Sequence, residues 1–104
     1  MMQVQKKQEV IELLQQNSVY IKTLGVRSIG LFGSFVRDEA TEASDVDMLV
    51  EFESGQKNYS NYISLAYFLE GIMGRKTELV TKKGLSKYIG PRILETIEYV
   101  PLSA

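Results

Sequence analysis

The residues best suited to chemistry in this sequence lie in one stretch, from Gly33 to Asp47. A Gly33-Ser34 pair opens the stretch, and Asp45 and Asp47, separated by one valine, close it. Glycine lets the chain turn sharply and lets a ligand approach the backbone. A serine at that point can cap a short helix whose free N–H groups face an anion. The stretch therefore predicts a phosphate-binding turn followed by a pair of carboxylates.

The two aspartates have the oxygen ligands that a hard cation prefers. Alternation along a strand puts Asp45 and Asp47 on one face, about 6 to 7 Å apart at Cα. Like charges at this distance repel each other unless a cation lies between them, and two-metal sites use such clusters. The alternative is that Asp45 caps the preceding loop and Asp47 is solvated at a sheet edge. Glu78 is either a third ligand on a neighbouring strand or a surface glutamate.

The residue types that are absent restrict the chemistry further. The 104 residues include no Cys and no His, which excludes a disulfide, a thiol nucleophile, a zinc–thiolate site and a Ser–His triad. Any metal would be an oxygen-seeking cation such as Mg²⁺. The net charge of -1 argues against a generic nucleic-acid or membrane binder. No membrane-spanning run and no signal-peptide pattern is found, so a cytoplasmic location is expected.

The elements that must position these residues form an α/β (α+β) pattern, which predicts a small mixed sheet of three to four strands with helices packed mainly on one face. The length fits a single domain, 1–104. Strands are expected at 27–32, 45–52 and 76–81, and residues 99–100 either add a short fourth strand or pack the tail down. Helices are expected at about 4–16 with an extension to 24, at 60–73, and over most of 85–98.

The helix at 60–73 carries two apolar stripes. The stripe that should face the core consists of Tyr62, Leu65, Ala66, Leu69 and Ile72. A second stripe of Tyr59, Ile63 and Tyr67 lies beside it. A helix that is apolar on two sides is either deeply buried or faces a partner. We favour burial within the monomer.

Gly-Ser, ten residues and Asp-x-Asp together resemble the signature of nucleotidyltransferases of the DNA polymerase beta superfamily. The stretches GSFVRDEATEASDVDMLVEF and GRKTELVTKKGLSKYIGPRILETIEYV are more closely similar to the minimal nucleotidyltransferase family, over residues 10 to 100. The resemblance implies the polymerase beta-like nucleotidyltransferase fold.

The resemblance also implies a role for individual residues. Gly33 and Ser34 would hold the phosphates of the nucleotide. The residues that would bind two Mg²⁺ ions and carry the catalysis are Asp45, Asp47 and Glu78. Arg37 matches the family's arginine and is assigned to the nucleotide site, with a solvated loop residue as the alternative. Two positions depart from the family: Asp38 replaces the usual glycine, and Glu78 replaces the more frequent aspartate.

The reaction that the resemblance implies is transfer of AMP from ATP to a hydroxyl group. The resemblance implies a protein encoded in a two-gene pair, in which the second gene encodes an all-helical HEPN-type RNase toxin. Characterised members of the family silence that toxin by adenylylating one of its tyrosines. The leading hypothesis is therefore an antitoxin enzyme. One alternative is a catalytically weak or inactive module that neutralises its partner by contact. Another is a transferase subunit acting on a small molecule or RNA, although no basic groove for nucleic acid is apparent.

Overall fold

The computed structural model describes residues 3–81 and 95–102. The elements in chain order are α1 (Lys7–Gln16), α2 (Ser18–Thr23), β1 (Val26–Phe32), a one-turn 3-10 helix (Gly33–Phe35), β2 (Val46–Phe52), α3 (Tyr59–Met73), β3 (Thr77–Thr81) and β4 (Glu98–Val100). The four strands form one sheet in the order β3-β2-β1-β4. Strand β1 is antiparallel to β2 and β4, whereas β2 and β3 are parallel. The predicted mixed sheet is confirmed.

The main core lies between the sheet and the three helices. Parallel strands need a long connection, and α3 supplies it between β2 and β3. Alternation along β2 puts Val46, Met48 and Val50 into this core, each at most 1% exposed. The buried helix residues that meet them are Val10, Leu14, Ile21, Leu65, Leu69 and Met73. The opposite face of the sheet has a smaller cluster around Phe32 and Leu49.

The first helix starts later than predicted, at Lys7 instead of about residue 4. The Glu9 carboxylate accepts hydrogen bonds from the backbone N–H groups of Gln5 and Lys6 at 2.8 and 3.1 Å, which fixes the first turn. Val4 lies outside the helix and is buried, and its N–H donates to the carbonyl of Met73 at 2.9 Å. Tertiary pairing of Val4 therefore competes successfully with helix formation.

Helix α3 has the expected limits because both ends are capped. The Asn58 side chain accepts a hydrogen bond from the N–H of Asn61 at 2.9 Å. Gly74 ends the helix with φ +70°, a left-handed conformation that suits glycine. The expected burial of the second stripe is wrong, because Tyr59 is 79% and Tyr67 is 72% exposed. The sheet covers only one side of α3.

The C-terminal prediction is partly wrong. Residues 85–94 of the expected helix lie outside the described residues. Glu98, expected at the end of that helix, is instead the first residue of β4 and pairs with Leu31 of β1. The short strand expected at Tyr99 and Val100 is confirmed. None of the helices in the described part of the chain is long and apolar enough to cross a membrane.

Candidate functional site

Three neighbouring strands align the predicted site residues across the sheet. Asp47 of β2 is opposite Phe32, the last residue of β1, and Gly33 follows directly. On its other side Asp47 is paired in register with Glu78 of β3. The expectation that the third strand lies beside the second is therefore confirmed. The row runs from Gly33 through Asp47 to Glu78.

Gly33 is required sterically beside Asp47. Its φ of +78° lies in the left-handed region, where side chains other than glycine are strained. A Cβ atom added to Gly33 would overlap the Oδ2 atom of Asp47. The glycine backbone and the aspartate carboxylate are thus packed directly against each other.

The expected helix cap by Ser34 is wrong. The turn is a 3-10 helix over Gly33–Phe35, so Ser34 lies within it and the N-cap position is Phe32. The carbonyl of Ser34 accepts a hydrogen bond from the N–H of Glu39 at 2.9 Å, which closes the following loop. The first N–H groups of such a turn have no partner inside the helix. The phosphate role of Gly33 and Ser34 stays a prediction.

The electrostatics of the site are concentrated on Asp47. Burial, first, and then the negative charges of Glu78 and Asp45 raise the pKa of Asp47 from 3.8 to about 6, while the positive charge of Arg37 acts in the opposite direction. Each cause that raises the pKa disfavours the ionised carboxylate. A cation placed among these carboxylates would reverse that effect.

The three carboxylates suit a hard divalent cation in chemistry, since all their ligand atoms are oxygens. Asp45 and Asp47 are half-buried, and Glu78 is exposed on the strand that borders them. Among the residues that the structure describes, no three acidic side chains converge closely enough to form a ready-made metal cluster. Their charges interact nevertheless, because Coulomb effects extend well beyond coordination distance. In the type of donor atom, the three side chains fit such a cation.

Arg37 and Asp38 follow the turn on an exposed loop. The Arg37 side chain donates to the Glu39 carboxylate at 2.7 Å and is 58% exposed. Its charge still reaches Asp47, as the pKa of that aspartate shows. Asp38 is the non-glycine residue with positive φ, at +58°, within the described residues. Aspartate tolerates this conformation better than most residues. It can therefore occupy a position where the minimal nucleotidyltransferases that the sequence resembles usually have glycine.

Arg75 is a site residue that sequence reasoning missed. Its side chain is buried, and one guanidinium nitrogen donates to the carbonyls of Thr41 and Ser44 at 2.8 and 2.7 Å. The guanidinium also lies 5.0 Å from the ring centre of Phe35. Arg75 thereby ties the start of β3 to the loop that precedes Asp45. An arginine between a helix-ending glycine and a strand was the available signal.

An open cleft of about 670 Å³ adjoins Glu78. It lies between β3 and the start of α3, and its walls include Lys57, Tyr59 and Tyr62. A second cavity, of about 240 Å³, lies against α1 and includes none of the predicted site residues. Of the three predicted carboxylates, Glu78 lines this cleft.

Comparison with known proteins places this geometry in context. The model of the nucleotidyltransferase domain family matches residues 8–100. A candidate protein adenylyltransferase of Methanocaldococcus jannaschii is 41% identical over 95 residues, covering 88% of this chain and 95% of that protein. The protein adenylyltransferase MntA of Thermococcus cleftensis is 45% identical over 76 residues, covering 73% of this chain and 76% of that protein.

Solved structures agree with the fold. A structure described as a candidate minimal nucleotidyltransferase superposes with a TM-score of 0.67 at 31% identity, covering 88% of this chain and 95% of the other. A toxin–antitoxin complex crystallised with AMP-PNP has a chain that superposes with a TM-score of 0.66 at 19% identity, covering 95% of this chain and 75% of the other. The second likeness concerns the fold alone.

Proposed function

Because this chain belongs to the nucleotidyltransferase domain family, we propose that it transfers AMP from ATP to a hydroxyl group of a protein partner. One observation supports the proposal most directly: Asp47 of β2 lies between Gly33, which directly follows β1, and Glu78 of β3. Such a row offers a place for phosphates, a central carboxylate and a carboxylate that can accept a proton.

In the proposed reaction the hydroxyl oxygen of the acceptor forms a bond to the α-phosphorus of ATP. The bond between that phosphorus and the oxygen bridging to the β-phosphate breaks, and pyrophosphate leaves with the electron pair. The hydroxyl proton passes to the carboxylate of Glu78, a role that needs no imidazole. Gly33 and Ser34 hold the phosphates, with Arg37 at the edge of the loop. Catalysis then depends mainly on positioning and charge.

We propose that the cation is Mg²⁺ and that two ions bind, as in other two-metal sites. Asp45, Asp47 and Glu78 would hold them. The ions would neutralise phosphate charge and lower the pKa of the acceptor hydroxyl. The raised pKa of Asp47 supports the assignment, because a cation offsets the mutual repulsion that disfavours its ionised form.

We propose that the partner is a toxin and that this chain is its antitoxin. The protein adenylyltransferases among the relatives support a protein acceptor. The toxin–antitoxin complex that shares the fold was crystallised with an ATP analogue. The finer identity, an all-helical HEPN-type RNase whose tyrosine is modified, follows the resemblance of the sequence to minimal nucleotidyltransferases.

Incubation with labelled ATP, Mg²⁺ and the helical product of the neighbouring gene tests the proposal. We expect label on the partner with the wild type and with Glu51→Ala, and none with Asp47→Ala. Glu51 is a matched control because it lies on the same strand, beyond the predicted site. Neutralisation of the partner without label, by Asp47→Ala as well as the wild type, would favour inhibition by contact alone.

A further inference from the structure

The cleft beside Glu78 binds neither the phosphates nor the cation in the proposed function. The loop and first turn of α3 over residues 57–59 form one wall, and β3 residues 78–81 form the other. Tyr62 fixes the two walls together, because its hydroxyl donates to the carbonyl of Leu79 at 2.7 Å. Glu78 therefore belongs both to the row of Gly33, Asp47 and Glu78 and to the lining of the cleft.

The direction of attack points to this cleft as the acceptor side, an argument that rests on the proposed function. In phosphoryl transfer the attacking and leaving oxygens lie roughly in line. The sheet order puts Gly33 on the β1 side of Asp47 and Glu78 on the opposite, β3 side. If the departing pyrophosphate is held at Gly33 and Ser34, the acceptor oxygen must approach from the side of Glu78.

The walls of the cleft suit an extended polypeptide. Within residues 3–81 and 95–102, β3 pairs with β2 alone and forms one border of the sheet. An edge strand offers backbone groups that recognise another extended chain. Tyr59 adds an aromatic surface that is 79% exposed, and exposed aromatic residues frequently anchor protein contacts. Lys57 adds a positive charge to the same lining that includes Glu78.

We propose that this cleft binds the acceptor segment of the protein substrate. The segment lies extended along β3 and presents its tyrosine hydroxyl to Glu78, while Tyr59 and Lys57 contribute to the choice of substrate. The bonds made and broken are those of the transfer described above.

The kinetic test compares two exposed tyrosines of the same helix. Tyr59→Ala should raise KM for the partner protein roughly tenfold or more, since it removes an aromatic anchor. Its affinity for AMP-PNP should stay unchanged. Tyr67→Ala is the matched control, because Tyr67 is 72% exposed on α3 but does not line the cleft. Equal effects of the two substitutions, or no effect of Tyr59→Ala, would overturn the proposal.

A binding test decides the question without any transfer. The partner protein is added to the ¹⁵N-labelled chain in the absence of nucleotide. Shifts confined to the amides of Lys57, Tyr59 and residues 78–81 are expected. Shifts elsewhere, or none, contradict the acceptor cleft. Such shifts together with no label from ATP would instead reject the transfer reaction and retain the cleft as a binding site.

Discussion

At the scale of single residues, Asp47 combines a structural cost with the proposed function. Burial and two neighbouring carboxylates make its ionised form unfavourable. An aspartate whose pKa is higher in the folded than in the unfolded state binds its proton more tightly when folded. Ionisation of Asp47 therefore lowers stability as pH rises from about 4 to about 6, and the full cost is present above that window. The proposed cation site thus includes a side chain whose ionisation lowers stability.

The substitution Asp47→Asn should reveal this cost. Measured in a chelator, the Tm of the variant should be close to that of the wild type near pH 3, below the ordinary pKa of aspartate, and exceed it by several degrees at pH 8. The physical reason is that asparagine stays neutral while the wild-type aspartate ionises. A difference in Tm that does not change with pH would contradict the argument.

A comparison of alanine substitutions at Gly33 and Gly55 separates the effect of backbone strain from the effect of contact with Asp47. Gly33→Ala and Gly55→Ala both place a Cβ at positive φ, +78° and +80°, which costs about 1 to 2 kcal/mol each. Only the added atom at Gly33 meets Asp47, because nothing lies within 4 Å of the one at Gly55. Gly33→Ala should therefore lose more stability and about 100-fold in transfer rate, while Gly55→Ala keeps its activity.

Denaturant unfolding and initial rates of labelling measure both effects. Equal losses in the two alanine variants would mean that the Asp47 contact has no importance for activity.

At the scale of elements, the loop between Phe35 and Asp45 is contacted by a buried side chain from a distant part of the chain. Arg75 donates to two carbonyls of this loop and contacts the ring of Phe35. The loop connects the Gly33 turn to Asp45, and Arg75 lies three residues before Glu78. The buried guanidinium therefore links the loop before Asp45 to the segment that leads into β3.

Arg75→Leu should loosen this arrangement. The loss of two charge-assisted hydrogen bonds costs about 2 to 3 kcal/mol, and amide hydrogen exchange in residues 36–45 should accelerate. Arg75→Lys keeps the charge but lacks the planar fork, so it should recover only part of the protection. Exchange rates that do not change in the loop would show that other contacts hold it.

At the scale of the whole molecule, the two ends of the described chain are joined at the sheet. Strand β4 is antiparallel to β1 and buries Val100, which is 4% exposed. Lys7 of α1 forms an ion pair with Glu98 at 2.9 Å, with side chains 37% and 41% exposed. Pairing with β1 and a partly exposed ion pair with α1 thus both hold β4 in place.

The apolar contact should dominate this junction. Val100→Ala should cost about 2 kcal/mol, from lost burial and the cavity that remains. Lys7→Ala should change stability by less than about 0.5 kcal/mol, because exposed ion pairs are weak. Unfolding free energies from denaturant titration test the comparison, which fails if Lys7→Ala has the larger effect.

The sequence by itself determined the parts whose signals are local. The sequence predicted a strand at 45–52, and the apolar period over 60–73 predicted α3. The absence of His and Cys restricted the chemistry to oxygen and nitrogen groups, and the spacing of Gly33-Ser34 and Asp45-Val46-Asp47 indicated the family. These properties depend on neighbours in the chain, so they can be predicted without knowing the fold.

The tertiary structure alone decided how distant parts meet. The register of Glu78 with Asp47, the hold of Arg75 on a loop more than thirty residues earlier and the pairing of Glu98 in β4 all join residues remote in sequence. The exposure of Tyr59 and Tyr67 was likewise decided by the sheet, which covers one of two similar stripes on α3. A periodic pattern shows that a helix has an apolar side, but only the packing partner determines which side is buried.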